Sequence, residues 1–324
     1  MVKVAKQTIN GKAFEYAVLL EFQARLTPFV SVIEIIENEP YKTALNCFNS
    51  FIEAEQDKFR LIASFAINYL IDLEPRLSNE IDINDVLQLE IVADKAGESG
   101  DVRDVLALRS SQNWEIGISA KNNHRAVKHS RLSNDIDFGK KWLGLSCTNA
   151  YFSKIKPIFD NLAQIKKASR STQKWETLGD YHSSVYIPVL DAFKEELIRL
   201  DKENPGIVAA RLVEYLIGNK DFYKVIKGSN KVEIQSYNLH GTLNLPFKSI
   251  KPKAKVPKLK LPNRLIEVVY KENSQTTLLV TLNEGWQISF RIHNASSRIE
   301  PSLKFDINLV SAPHSLHVTQ LFVS

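Results

Sequence analysis

Two apolar-patterned runs, joined by a short polar turn, constrain this chain more than any other stretch. The first runs from Gly100 to Arg109 around Val102, Val105, Leu106 and Leu108. Ser110, Ser111, Gln112 and Asn113 follow, and the second run, Trp114 to Lys121, is built around Ile116 and Ile118. The pattern reads as a β-hairpin. A symmetric turn sets Arg109 opposite Trp114 and Asp104 opposite Ser119. Lys121 is two residues further on, so it shares a face with Ser119. Asp104 and Lys121 then become diagonal neighbours that can reach one another and a shared phosphate. A carboxylate that holds a divalent cation, beside a lysine that places or deprotonates the attacking water, suits metal-assisted phosphodiester cleavage.

This hairpin resembles the PD-(D/E)XK nuclease core, in which an aspartate precedes an acid-x-Lys triplet on the adjacent strand. The triplet here is Ser119, Ala120 and Lys121, with serine in the acid position. The resemblance implies that Asp104 binds the metal, Lys121 orients the water and stabilises charge at phosphorus, and Ser119 holds a water or a metal-bound ligand. Members of that superfamily with Ser-x-Lys take the missing acid from a following helix, which implies Asp135 as the second metal-binding carboxylate. Ser133 to Phe138 reads as a helix start, with Ser133 capping and Asp135 and Asp137 in the first turn. Glu115 is the rival acid. It shares a face with Ser119, but four strand residues set it roughly 13 Å away. Asp101 is the rival to Asp104, at the edge of the paired strand. Glu53 and Glu55, on an N-terminal helix, are either a recruited metal ligand or a solvated face.

Three further segments are similar to the HaeIII-type restriction endonuclease family. They are Lys121 to Ser133, Phe290 to Ser297, and Glu300 to Asp306. This resemblance implies Mg²⁺-dependent cleavage of double-stranded DNA at GGCC, with a cognate DNA methyltransferase protecting the host genome. The segment after the lysine supplies Asn123, His124 and Lys128 as DNA contacts. His124 and His129 either touch phosphate or are polar loop residues. Arg291, His293, Asn294 and Arg298 carry groups that read adenine and guanine edges, or else stabilise a strand end.

A chain of 324 residues buries a substantial core as one large domain or two. Its formal charge of +5 and pI of about 8.9 are compatible with nucleic acid. Cys47 and Cys147 form neither a CxxC pair nor a zinc set and read as reduced core residues. Met1 to Asn10 lacks the apolar core of a signal peptide, and no apolar run approaches the ~20 residues of a spanning helix. The expectation is a prokaryotic cytoplasmic protein with no membrane partner. Oligomeric state stays open, a homodimer included.

The predicted fold class is α/β: a mixed-sheet nuclease core flanked by helices, with a β-rich C-terminal region. Helical spacing covers 12 to 75, strands are expected near 86–93, 102–109 and 114–121, and helices resume from about 133 to 203. The predicted division is 1–227, the helical part plus nuclease core, and 228–324, the β-rich part. Within the latter, Lys248 to Arg264 carries only basic charges, and Pro252, Pro257 and Pro262 favour an extended chain. It reads as a connector or as an arm along DNA phosphates, with Lys251, Lys253, Lys255 and Lys258 as the contacts.

No phosphate-binding loop, H-E-x-x-H or G-x-S-x-G motif redirects this reading. Two other function classes stay open: a structure-specific repair nuclease, and a non-catalytic DNA-binding protein whose site is degenerate at Ser119.

Overall fold

The computed structural model describes residues 6–82, 84–93, 101–123 and 127–323. The chain begins with helix α1 (Lys6–Leu26), strand β1 (Val32–Ile36), helices α2 (Glu39–Asn49) and α3 (Glu53–Leu73), and the single turn α4 (Pro75–Ser78). Strands β2 (Val86–Ile91), β3 (Val105–Arg109), β4 (Trp114–Asn122) and β5 (Lys128–Leu132) precede helices α5 (Asn149–Ala168), α6 (Ile187–Glu203) and α7 (Val208–Ile217). Strands β6 (Phe222–Lys227), β7 (Lys231–Tyr237), β8 (Leu265–Tyr270), β9 (Thr277–Leu282), β10 (Gln287–Asn294), β11 (Leu303–Ser311) and β12 (His317–Phe322) complete it. The fold is mixed α/β, and strand-rich toward the C-terminus as predicted.

The chain divides into two units. The first comprises Met1–Arg125, Gly218–Leu259 and Ser315–Ser324, and the second Ala126–Ile217 and Lys260–His314. The strand-rich region beyond Gly228 is shared between them, with β7 and β12 in the first unit and β8 to β11 in the second.

The first unit holds a mixed sheet of order β1-β2-β3-β4-β6-β7-β12. The β1–β2 and β4–β6 pairs are parallel and the rest antiparallel. The hairpin register is the predicted one, with Arg109 opposite Trp114 and Val105 opposite Ile118. Its turn closes on Asn113 at φ 48°, a left-handed conformation that asparagine tolerates better than most residues. One expectation fails locally. Val32–Ile36 interrupts the helical segment and pairs with β2, because its run of β-branched residues suits a pleated surface.

Helix α1 is buried at every position from Ala13 to Leu19. A helix buried all round lies between layers, and α1 packs on β2, β3 and β4 and against α2 and α3. Arg109 is fully buried beneath the hairpin turn. It forms a 2.8 Å ion pair with Asp85 and donates to the Arg76 and Leu77 carbonyls at 2.9 and 3.1 Å.

The basic segment is an extended strap tied to the first unit as far as Leu259. Lys253 N–H donates to Asp72 O (2.9 Å) and Val256 N–H to Asn244 Oδ1 (2.8 Å), while Leu259 N–H donates to Asn238 O (2.8 Å). Val256 and Leu259 are buried, and Lys251, Lys253, Lys255 and Lys258 are exposed. Lys253 pairs with Asp72 at 2.7 Å. Among the described residues Lys251, Lys255 and Lys258 have no acidic partner.

The second unit holds an antiparallel sheet of order β5-β11-β10-β9-β8. One face buries Phe290, Ile292, Leu303 and Phe305. Phe193 of α6 lies 5.5 Å from Phe290 and 5.1 Å from Phe305 between ring centroids. The helix expected to start at Ser133 does not. Ser133 Oγ accepts the Asp135 N–H at 3.3 Å in a turn, a single π-helical turn follows at Gly139–Leu143, and α5 begins at Asn149, capped by Thr148. The Ser133 hydroxyl thus competes with the helix for a backbone group and favours a turn, while Asn134 Nδ2 donates to Asp160 Oδ1 at 2.9 Å. Cys47 and Cys147 are free and half-buried. No helix of the described residues is long and apolar enough to cross a membrane.

Candidate active site

Asp104 stands one residue before β3, where the hairpin ladder still reaches it. Its N–H donates to Ile118 O at 2.7 Å, and its carbonyl accepts from Val92 N at 2.9 Å. With its backbone held this way, the carboxylate turns toward β4. Asp104 Oδ2 accepts from Ala120 N–H (2.7 Å), Lys121 Nζ (2.9 Å) and Ser119 Oγ (3.3 Å). Aspartate, serine and lysine therefore meet at one oxygen. Ser119 is buried, and the Lys121 side chain is 31% exposed. Burial works to lower the Lys121 pKa, but the Asp104 carboxylate beside it, with help from Glu15, outweighs burial and raises it. Lys121 is thus an ammonium across the neutral range.

A second acid in this neighbourhood comes from α1, and the sequence reading did not include it. Glu15 is buried, and Lys12 Nζ donates to its Oε2 at 3.0 Å. Burial raises the Glu15 pKa to about 8. The Asp104 charge pushes in the same direction, and Lys12 and Lys121 pull against it. A signal for Glu15 did exist: it is a carboxylate inside the apolar run from Ala13 to Leu20. Buried acids are rare and cluster at functional sites.

The rival acids are neutralised elsewhere. Arg103 is buried and binds Asp101 at 2.8 and 2.7 Å through Nε and Nη2, and Glu115 at 3.0 Å through Nη1. Lys220 also reaches Glu115, at 3.3 Å. Gly117 makes room for this arginine, since a Cβ there would lie 2.1 Å from Arg103 Cδ. Glu53 and Glu55 are exposed in the first turn of α3. Asp135 belongs to the second unit, on an exposed turn after β5.

The remaining predicted contacts fall in several settings. Asn123 is exposed at φ 53°, with its N–H bonded to Lys227 O. Its neighbour Asn122 has a buried Oδ1 with no hydrogen-bond partner among the described residues. His124 lies outside the described residues. Lys128 Nζ donates to Tyr215 O (2.9 Å) and sits 3.8 Å from the centre of the Tyr215 ring, where burial lowers its pKa to about 8. Half-buried, it packs on Tyr215. Arg291 pairs with Asp306 at 2.5 Å. Asn294 lies opposite Leu303, on the helix-covered face of its sheet.

No group of three or more His, Cys, Asp or Glu side chains among the described residues is arranged to hold a metal ion by itself. The pair Asp104 and Glu15 nevertheless suits a hard divalent cation. Mg²⁺ is commonly held by one or two carboxylates together with water and substrate phosphate. A cation there would offset the burial that, with the Asp104 charge, raises the Glu15 pKa.

The family model described as HaeIII restriction endonuclease matches residues 11–313. The type II restriction enzyme HaeIII of Haemophilus aegyptius is 44% identical over 314 residues, covering 96% of each chain. No solved structure matches.

Proposed function

The chain belongs to the HaeIII restriction endonuclease family, and from that premise we propose that it is a Mg²⁺-dependent type II endonuclease cutting both strands of duplex DNA at GGCC. The observation that carries the chemistry is the meeting of Asp104, Ser119 and Lys121 at one carboxylate oxygen. The recognition sequence rests on family resemblance alone.

Asp104 and Glu15 would hold the metal. When bound, the metal acts as a Lewis acid on the phosphate and lowers the pKa of a bound water. Lys121 is a poor base at neutral pH because its pKa is raised. Its role is to orient the attacking water and offset the charge that grows on the phosphoryl oxygens. Ser119 can donate to Asp104 or to a water, a neutral substitute for the acid usual at that position. Lys12 donates to Glu15 and favours its ionised, metal-binding form. Asp135 is the alternative second carboxylate, supported only by the superfamily pattern.

The strap lysines Lys251, Lys253, Lys255 and Lys258 contact phosphate, and Asn123 contacts the duplex near the cut. Phosphate contacts of this kind set affinity without reading sequence. Two cuts in a two-fold symmetric sequence are served by a homodimer, and a cognate DNA methyltransferase is the functional partner.

Digestion of a sequenced plasmid with and without Mg²⁺, with the ends mapped, tests this reading. Discrete Mg²⁺-dependent fragments ending within GGCC are expected. Cuts at branched or flapped structures would instead mean a repair nuclease. DNA retarded on a gel but never cut in Mg²⁺ would mean a binding protein whose Ser119 marks a lost acid.

A further inference from the structure

The open face of the sheet in the second unit carries two rows of polar side chains across three adjacent strands. In one row Arg131 of β5 lies opposite Lys304 of β11, which lies opposite His293 of β10. In the next row His129 lies opposite Asp306, which lies opposite Arg291. The alternating residues Leu132, Leu303, Phe305, Phe290 and Ile292 are buried. The period of two therefore sends these six to the other face.

The charges on this face do not balance. Asp306 Oδ2 accepts from Arg291 at 2.5 Å, while Asp306 Oδ1 lies 2.9 Å from His129 Nδ1 and 3.3 Å from His293 Nε2. One carboxylate thus serves three basic groups. Arg131 and Lys304 face each other directly, and like charges opposed across a ladder destabilise a sheet. The Arg131 side chain donates to the neutral Ser302 Oγ at 3.1 Å. Among the described residues no carboxylate pairs with Arg131 or Lys304. No described carboxylate compensates that opposition, whereas a polyanion would.

Asp306 also constrains one donor group in particular. The Arg291 side chain is 59% exposed but tethered through Nη2. A guanidinium held by a carboxylate loses less freedom when it binds. Its planar fork matches the O6 and N7 acceptors of guanine in the major groove.

We infer that this sheet face recognises duplex DNA, with Arg291 reading a guanine edge, Asp306 as its positioning residue, and Arg131 with Lys304 holding phosphate. The identity of the polyanion rests on the endonuclease reading above.

The test is fluorescence anisotropy in EDTA with a GGCC duplex and a scrambled duplex of equal length, run beside plasmid digestion by the unmodified protein. Arg291→Lys should lower the ratio of specific to nonspecific affinity about 10- to 100-fold, the range for losing one bidentate base contact. Its melting temperature should not change. Asp306→Asn should move the same ratio in the same direction. Arg131→Gln with Lys304→Gln should weaken both duplexes alike and make the salt slope shallower by about two units, at about 0.9 per contact. If the unmodified protein cuts at discrete sites while Arg291→Lys and Asp306→Asn keep its affinity ratio, the inference fails and the endonuclease reading stands. If Asp306→Asn lowers the melting temperature but leaves the ratio alone, Asp306 is structural and its positioning role is overturned. If the unmodified protein neither cuts at discrete sites nor distinguishes the duplexes, the endonuclease reading fails and base readout fails with it.

Discussion

Lys121 Nζ lies 2.9 Å from the oxygen of Asp104 that also accepts the Ala120 N–H at 2.7 Å. The backbone bond fixes the carboxylate, and the carboxylate then fixes the lysine. The pair is therefore organised by the hairpin before any substrate arrives, which is the preorganisation that electrostatic catalysis requires.

Removing either member of this pair should abolish cleavage. Lys121→Ala and Asp104→Ala are each expected to slow cutting by at least about 10³-fold, or about 4 kcal/mol in the barrier. Lys121→Ala should still bind DNA in Ca²⁺. Single-turnover cleavage and anisotropy measure the two effects, and full activity in either variant would rule out the site.

The second acid is decided by a pair of variants. If Glu15 is the ligand, Glu15→Gln should fall at least about 10³-fold in cleavage and bind Mg²⁺ weakly by calorimetry, while Asp135→Asn cuts normally. The reverse pattern would give the role to Asp135.

Glu15 should also make metal-free stability depend on pH. Its folded pKa is raised from 4.5 to about 8. Below 4.5 the carboxyl is protonated in both folded and unfolded chains. Between 4.5 and about 8 the folded protein keeps a proton that the unfolded chain has lost, so stability falls as pH rises through that window. Mg²⁺ affinity should rise over the same window, because cation and proton compete. Urea melts of the parent protein and Glu15→Gln across this range check the sign. Parallel curves would mean that Glu15 does not govern stability in this window.

The strap should behave as a phosphate grip. Neutralising Lys251, Lys253, Lys255 and Lys258 together should weaken binding to every duplex about equally. With three or four phosphate contacts, the slope of log K against log salt becomes shallower by about three units. An unchanged slope would make the segment a connector only.

Arg109 and Asp85 form a buried ion pair. Arg109→Ala leaves Asp85 charged without its partner, and should cost about 3–5 kcal/mol of stability. Chemical denaturation measures this, and a loss under about 1 kcal/mol would contradict it.

What the sequence determined by itself was local. The hairpin, its register and the diagonal of Asp104 and Lys121 follow from period-two alternation and a short turn, which act over neighbouring residues. The exposure of the strap lysines follows similarly from prolines that keep the chain extended. Tertiary structure decided the rest. In the sequence Asp101 stays a rival to Asp104, and Glu115 to Asp135, until Arg103 folds across Gly117 and binds both. Glu15 is remote in sequence from Asp104, and only the burial of α1 against the sheet makes its ionisation depend on that residue. The helix expected at Ser133 gave way to a turn in which the Ser133 hydroxyl takes the Asp135 N–H. The charged rows on the second sheet are written in three separate segments, and their opposition exists only once β5, β11 and β10 pair. Pairing over long separations depends on which surfaces can be buried together, and no single window of sequence carries that information.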